Sequence, residues 1–224
     1  MQQTNYLKQL LIFVACLLAV VPYILFINQY PTVVLDEPWY GSTIYNLALN
    51  GVIQNTLFGY AGGDVQYAYP FLSAIWVKLF GFSLLKLRLL SVFLGGATLF
   101  VFLKCLRQLN VQARWVVIFG AVLFVMNNNL FIIFRRIRPE PLVLFCFFVS
   151  LYYYLKWLNN NTNKWALVGC GAAIMTAFWA HPSASIYGIV LGVFILWDQF
   201  KSKQPYKIGY YILGNGLVFC VGML

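Results

Sequence analysis

Seven apolar stretches, each about 15 to 20 residues long and so able to cross roughly 30 Å of hydrocarbon, recur along this 224-residue chain. They run from Leu7 to Ile27, Leu89 to Leu103, Trp115 to Phe134, Pro141 to Leu155, Trp165 to Ala180, Ser183 to Trp197, and Ile208 to the last residue. Such runs are too long and too uniformly apolar for the alternating strands of an outer-membrane barrel, so they predict helices. Composition closes off the soluble alternative. With 62% hydrophobic and 9% charged residues and a mean hydropathy of +0.79, too few polar side chains exist to cover a water-facing surface. The expectation is an all-α polytopic membrane protein, a single transmembrane domain over residues 1–224 with seven spans. The first run reads as a retained anchor, because it stays apolar past Cys16 to Ile27 where a processed lipoprotein would turn polar.

Charge between the runs sets an orientation. With the N-terminus cytoplasmic, nine of the fifteen basic residues lie inside: Lys8, Lys104, Arg107, Arg114, Lys156, Lys164, Lys201, Lys203 and Lys207. The other six, Lys78, Lys86, Arg88, Arg135, Arg136 and Arg138, fall on the outer face, where the positive-inside rule leaves few cations. An anionic ligand on that face is the simplest reason to keep them there. Nucleic acid is not indicated, since no basic stripe is interleaved with exposed aromatics on a soluble surface. The five cysteines, Cys16, Cys105, Cys146, Cys170 and Cys220, show no CxxC spacing and read as small packing residues.

The first outer loop, residues 28–87, is the longest polar segment and holds three of the five acids, Asp36, Glu37 and Asp64. Asp36 and Glu37 sit side by side just beyond the first span. After them, Trp39 to Leu49 has helical apolar spacing and stops at Asn50-Gly51, Tyr60 to Asp64 reads as a turn, and Pro70 to Phe80 is a second short helix with Pro70 in its first turn. Neither helix is long enough to span. Both are expected to lie in the interface, with Trp39, Tyr45 and Trp76 at headgroup level.

Plainer roles stand beside the functional ones. Asp36 and Glu37 could be solvated loop acids, Lys78 could snorkel, and Glu140 could complement the dipole of the fourth span or pair with Arg136. His181, the single histidine, has no second His or Cys nearby to make a metal site, so a capping or loop role competes with a place near a ligand. Asn127, Asn128 and Asn129 lie deep in the third run and are expected to face other helices or water, because an unsatisfied amide is costly in hydrocarbon.

Several of these pieces together resemble a known family. An Asp36-Glu37 pair past the first span is followed by two juxtamembrane helices, then by Tyr-Pro-Phe-Leu-Ser-Ala-Ile-Trp leading to Gly81, by Arg88-Leu-Leu-Ser-Val-Phe-Leu-Gly95, and by Arg135-Arg-Ile-Arg-Pro-Glu140. Their order is similar to that of the polyprenyl-phosphate-sugar-dependent glycosyltransferases of the GT-C fold, whose members include the protein O-mannosyltransferases and the lipid A aminoarabinose transferases. The resemblance covers nearly all of the chain. It implies a GT-C-like architecture, a polyprenyl-phosphate-linked sugar as donor, and a lipid, glycan or protein acceptor, with membrane lipids as surroundings. Asp36 would be the general base that takes the acceptor proton. Arg88, Arg135 and Arg138 would hold the leaving phosphate, because a guanidinium fork fits phosphate oxygens two at a time. The full substrate-binding set expected is Glu37, Tyr40, Lys86, Arg88, Arg135, Arg138, Glu140 and His181, with Asp36 at about 6 to 12 Å from the cations to admit a sugar. No cofactor is identified, and a divalent cation on Asp36 or Glu37 stays open.

Members of that family carry eleven or more spans, so the chain reads as the N-terminal part of such a module, at home in a bacterial inner (plasma) membrane with its site extracytoplasmic. The rival classes are a transporter or lipid-binding membrane protein, and an inactive fragment. Transporters carry ionisable residues near the midplane and inverted repeats, whereas the charges here sit at the ends of the runs and no repeat is visible.

Overall fold

A computed structural model describes residues 21–33, 36–56, 66–109, 114–159, 163–202 and 207–223. Most of the expected first span and the turn expected at Tyr60 to Asp64 lie outside the described residues, although residues 21–24 are helical. Among the described residues the chain is helical with short connections and no strand.

Helix α1 (Asp36–Asn50) begins with both acids in its first turn, where they complement the positive end of the helix, and stops before Gly51, whose φ of +69° is a conformation glycine adopts without strain. Helix α2 (Ala68–Phe80) carries Pro70 in its first turn and ends at Gly81, whose amide donates to the Val77 carbonyl at 2.7 Å. Lys78 is exposed in the last turn of α2, where a cation suits the dipole. Both expected juxtamembrane helices are thus present as helices, within a few residues of their expected bounds.

Helix α3 (Leu84–Gln108) starts a turn earlier than the apolar run that announces it, because Ser83 accepts a hydrogen bond from the Lys86 amide at 3.2 Å and caps it. The third apolar run is not one helix. It divides into α4 (Arg114–Met126) and α5 (Asn128–Ile133), with Asn127 extended between them and its side-chain oxygen accepting from the Leu130 amide at 3.0 Å. An asparagine side chain competes with the helix for backbone groups, and here it wins. The Tyr23 hydroxyl donates to the Val125 carbonyl beside the break at 2.9 Å. The three asparagines are exposed and do not pack between helices.

Four longer helices complete the bundle: α6 (Glu140–Asn159), α7 (Lys164–Ala180), α8 (Ala184–Ser202) and α9 (Ile208–Met223). Helix α7 is central, packed most extensively on α6 and α9, while α6 also packs on α3. Two glycines permit the α7–α9 contact: a Cβ on Gly171 would fall 2.1 Å from the Tyr211 carbonyl oxygen, and one on Gly214 equally near that of Val168. Among the described residues three helices are long and apolar enough to cross a bilayer, α3, α6 and Ala184–Lys201 of α8, while α2, α4, α7 and Ile208–Gly222 of α9 are apolar but shorter. Large exposed apolar side chains such as Trp115, Phe119, Trp165, Ile189 and Phe200 suit these helices to a lipid environment.

The core has two parts. One joins α1, α2, the start of α3, the start of α6 and the α7–α8 junction through Ile44, Tyr69, Leu87, Ile137, Leu142 and Ala180. The other, around Tyr154, Trp157, Leu167, Cys170, Ile195 and Tyr211, fills the opposite half of the bundle. Cys105, Cys146 and Cys170 are buried packing residues, whereas Cys220 is exposed.

Candidate functional site

Two adjacent acids at the start of α1 meet different surroundings. Glu37 is buried and pairs with Arg88, which is itself without solvent exposure. The pair is bidentate, with Arg88 Nε donating to Glu37 Oε1 at 2.9 Å and Nη2 to Oε2 at 2.6 Å. A buried ion pair is favourable only when its other donors and acceptors are also satisfied. Here they are: Arg88 donates through Nη1 to the Ile27 carbonyl and through Nη2 to the Pro31 carbonyl at 2.9 Å, while Glu37 Oε1 also accepts the Ile137 amide at 3.0 Å. One ion pair therefore joins the 27–31 segment, α1, α3 and the turn before α6. Arg88 was expected to hold a phosphate and Glu37 a substrate or a cation. In this arrangement their hydrogen-bonding groups are engaged with each other and with the backbone, and both side chains are buried.

Arg135 is likewise committed. It donates through Nη1 to the Pro22 carbonyl at 3.0 Å and through Nη2 to that of Leu25, closing the end of the helical stretch at 21–24, with the Tyr30 and Phe131 rings against its guanidinium. Burial, and then the nearby charge of Arg88, lower its pKa from the usual arginine value. The sequence alone gives no sign of this role, since backbone carbonyls carry no residue identity.

Asp36, by contrast, is 51% exposed and meets Arg138, whose Nη2 lies 3.3 Å from Asp36 Oδ2 and 2.7 Å from Glu140 Oε1. Glu140 opens α6 as expected of an acid near a helix N-terminus, but its partner is Arg138 and not Arg136. The cluster brings together Asp36, Arg138 and Glu140 from the expected set. Direct contact replaces the expected sugar-sized gap between Asp36 and a cation, so a ligand would have to part Arg138 from Asp36.

The remaining expected residues fall around or away from this cluster. Tyr40 donates to Gln66 Oε1 at 2.7 Å and meets the Tyr69 ring edge-on. Lys86 lies in the first turn of α3 with its ammonium beside Gly81, and the Trp76 indole N–H donates to its carbonyl at 2.9 Å. His181 ends α7, where its Nδ1 lies 2.7 Å from Ser183 Oγ and accepts the Ser183 amide at 3.2 Å. These bonds hold it in the turn between α7 and α8. Among the described residues no group of three or more His, Cys, Asp and Glu could hold a metal ion.

Four residues near the cluster did not enter the expected set. Arg136 is half-buried with its guanidinium unpartnered, while its carbonyl accepts the buried Ser91 hydroxyl at 2.6 Å. Tyr69 and Ser73 are fully buried on the inner face of α2, and the Tyr69 hydroxyl lies beside Ser73 and Ser91 without aligning to bond either. Burial pushes the Tyr69 pKa up, so the hydroxyl stays neutral. Ser73 interrupts a mainly apolar inward face of α2, and Ser91 follows Arg88 by one turn on the buried face of α3. Glu140 Oε2 and the Nε atoms of Arg135, Arg136 and Arg138 are also buried without partners. Two surface grooves lie away from the cluster, about 470 Å³ along Trp115 to Val122 and about 350 Å³ between α7, α8 and α9.

No protein-family model matches this chain, and comparison with curated proteins and with solved structures finds no match. The functional reading therefore rests on the residues and their geometry.

Proposed function

We propose that this protein is a membrane glycosyltransferase that moves a sugar from a polyprenyl-phosphate donor to a hydroxyl or amine acceptor on the extracytoplasmic face. In this reading all seven apolar runs span and the N-terminus is cytoplasmic. The observation that carries it is the Asp36–Arg138–Glu140 cluster, an accessible carboxylate beside a cation, mounted on a helix whose next residue is locked by the buried Glu37–Arg88 pair. A rigid mount with one accessible carboxylate is what general-base catalysis requires.

The resting contact also suggests an order of events. A donor phosphate entering beside Arg138 competes with Asp36 for the guanidinium, because phosphate accepts the same bidentate bonds. Asp36 is then released to take the proton of the acceptor as that oxygen or nitrogen attacks the anomeric carbon. The bond to the phosphate oxygen breaks, and the electron pair leaves with the polyprenyl phosphate, its charge held by arginine. Glu140 keeps Arg138 oriented meanwhile.

The test is sugar transfer from a polyprenyl-phosphate donor by the full chain in nanodiscs, scored on a panel of lipid, glycan and peptide acceptors. Transfer should be measurable and should drop by ~10² or more in Asp36→Asn, with donor binding kept. Transfer unaffected by Asp36→Asn removes the assigned base, and absence of both transfer and donor binding removes the enzyme reading.

A further inference from the structure

Four arginines, Arg88, Arg135, Arg136 and Arg138, lie on segments bonded to one another by the Glu37–Ile137 and Ser91–Arg136 contacts, and they are not equivalent. Arg88 is spent on Glu37 and two carbonyls, Arg135 on two carbonyls, and Arg138 on two carboxylates through Nη2. Arg136 has no side-chain partner among the described residues, although its backbone is held on both sides: its own carbonyl accepts the Ser91 hydroxyl, and the next amide, of Ile137, donates to Glu37 Oε1. Its Nε is buried without a partner, as are those of Arg135 and Arg138, but Arg135 already has both terminal nitrogens bonded to carbonyls. A buried donor left unpaired costs free energy, and a guanidinium with N–H groups to spare can offer them to an acceptor with several oxygens.

We propose that Arg136, together with the unused N–H groups of Arg138, forms the phosphate-binding site of this protein, and that Arg88 and Arg135 take no part in it. The inference deepens the glycosyltransferase reading by naming the residue that meets the donor phosphate. The ligand class is a phosphate mono- or diester, whether on a polyprenyl chain, on a bulk lipid headgroup or free. Lys78 is exposed and Lys86 lies beside Gly81, so neither is gathered into this pair. The Asp36 and Glu140 carboxylates keep the surroundings of the pair near neutral until the ligand arrives, which favours an acceptor that displaces one carboxylate over a diffuse anionic surface.

The experiment measures binding to the full chain in neutral nanodiscs, with a polyprenyl phosphate, inorganic phosphate, and nanodiscs doped with phosphatidylglycerol as separate probes. Arg136→Gln should weaken polyprenyl-phosphate binding roughly tenfold or more, Arg136→Lys by less, and Lys78→Gln not at all. The melting temperature of Arg136→Gln should equal that of the parent, because no intramolecular bond is lost, so weak binding is not explained by unfolding. Ser91→Ala, which releases the Arg136 carbonyl, should weaken binding by less than Arg136→Gln. If the parent binds polyprenyl phosphate and Arg136→Gln binds it equally well, the site assignment is overturned while the enzyme reading stands. If binding through Arg136 occurs with inorganic phosphate or phosphatidylglycerol but not with polyprenyl phosphate, the site stands and the enzyme reading falls. Absence of binding to all three probes overturns both.

Discussion

Asp36 and Glu37 are neighbours on one helical turn, yet one is half-exposed and the other has lost contact with water. Each meets an arginine, Arg138 and Arg88 respectively, and the chemical groups are the same. What differs is the remainder of the shell. Around Glu37 and Arg88, two backbone carbonyls and an amide fill the bonding positions that the ion pair leaves over, so the pair acts as a fastener between distant segments. Around Asp36 and Arg138 the shell is incomplete, with a third charge, Glu140, and buried nitrogen atoms that have no acceptor. Completeness of the shell separates a structural ion pair from one that a ligand can enter.

Substitutions can break that comparison, and the largest effect is expected at the complete shell. Arg88→Gln leaves Glu37 charged and buried, which should destabilise by about 3 to 5 kcal/mol and abolish recovery of monodisperse protein in detergent. Recovery of fully stable Arg88→Gln protein would show that the fastener is dispensable. Next in size is the matched pair of isosteric changes at neighbouring positions. Glu37→Gln should lower the melting temperature markedly, since it weakens a charge-assisted bidentate contact, whereas Asp36→Asn should leave the melting temperature nearly unchanged. Equal effects would erase the distinction.

Smaller shifts sharpen it. Ser91→Ala removes the donor to the Arg136 carbonyl and should cost about 1 kcal/mol, read from denaturation in mild detergent. Smallest of all, Arg138→Gln should change stability by less than about 1 kcal/mol, because at 31% exposure solvent screens its pairs with Asp36 and Glu140. A loss several times larger would place Arg138 with Arg88 among the fasteners.

Helix positions were largely legible from local rules. Asn50-Gly51 does end α1, Pro70 does lie in the first turn of α2, and the fourth to seventh apolar runs each coincide with one helix, α6 to α9. The break at Asn127 was signalled by three asparagines in an apolar run, but the run outweighed them in a reading based on hydropathy alone. The site was legible as a set of charges and illegible as a set of partners. Arg88 and Glu37 stand 51 residues apart, and Arg135 is bonded to carbonyls more than a hundred residues away, which no spacing rule anticipates.

The sequence by itself determined where helices form and which stretches carry charge, because apolar periodicity, caps and glycine conformation act over a few residues. Only the tertiary structure decided which charges are used up. A guanidinium has five donors, and whether any remain for a ligand depends on how many carbonyls and carboxylates other segments bring within about 3 Å. That count is a property of packing. It leaves Arg136 and Arg138 with donors to offer and Arg88 with almost none.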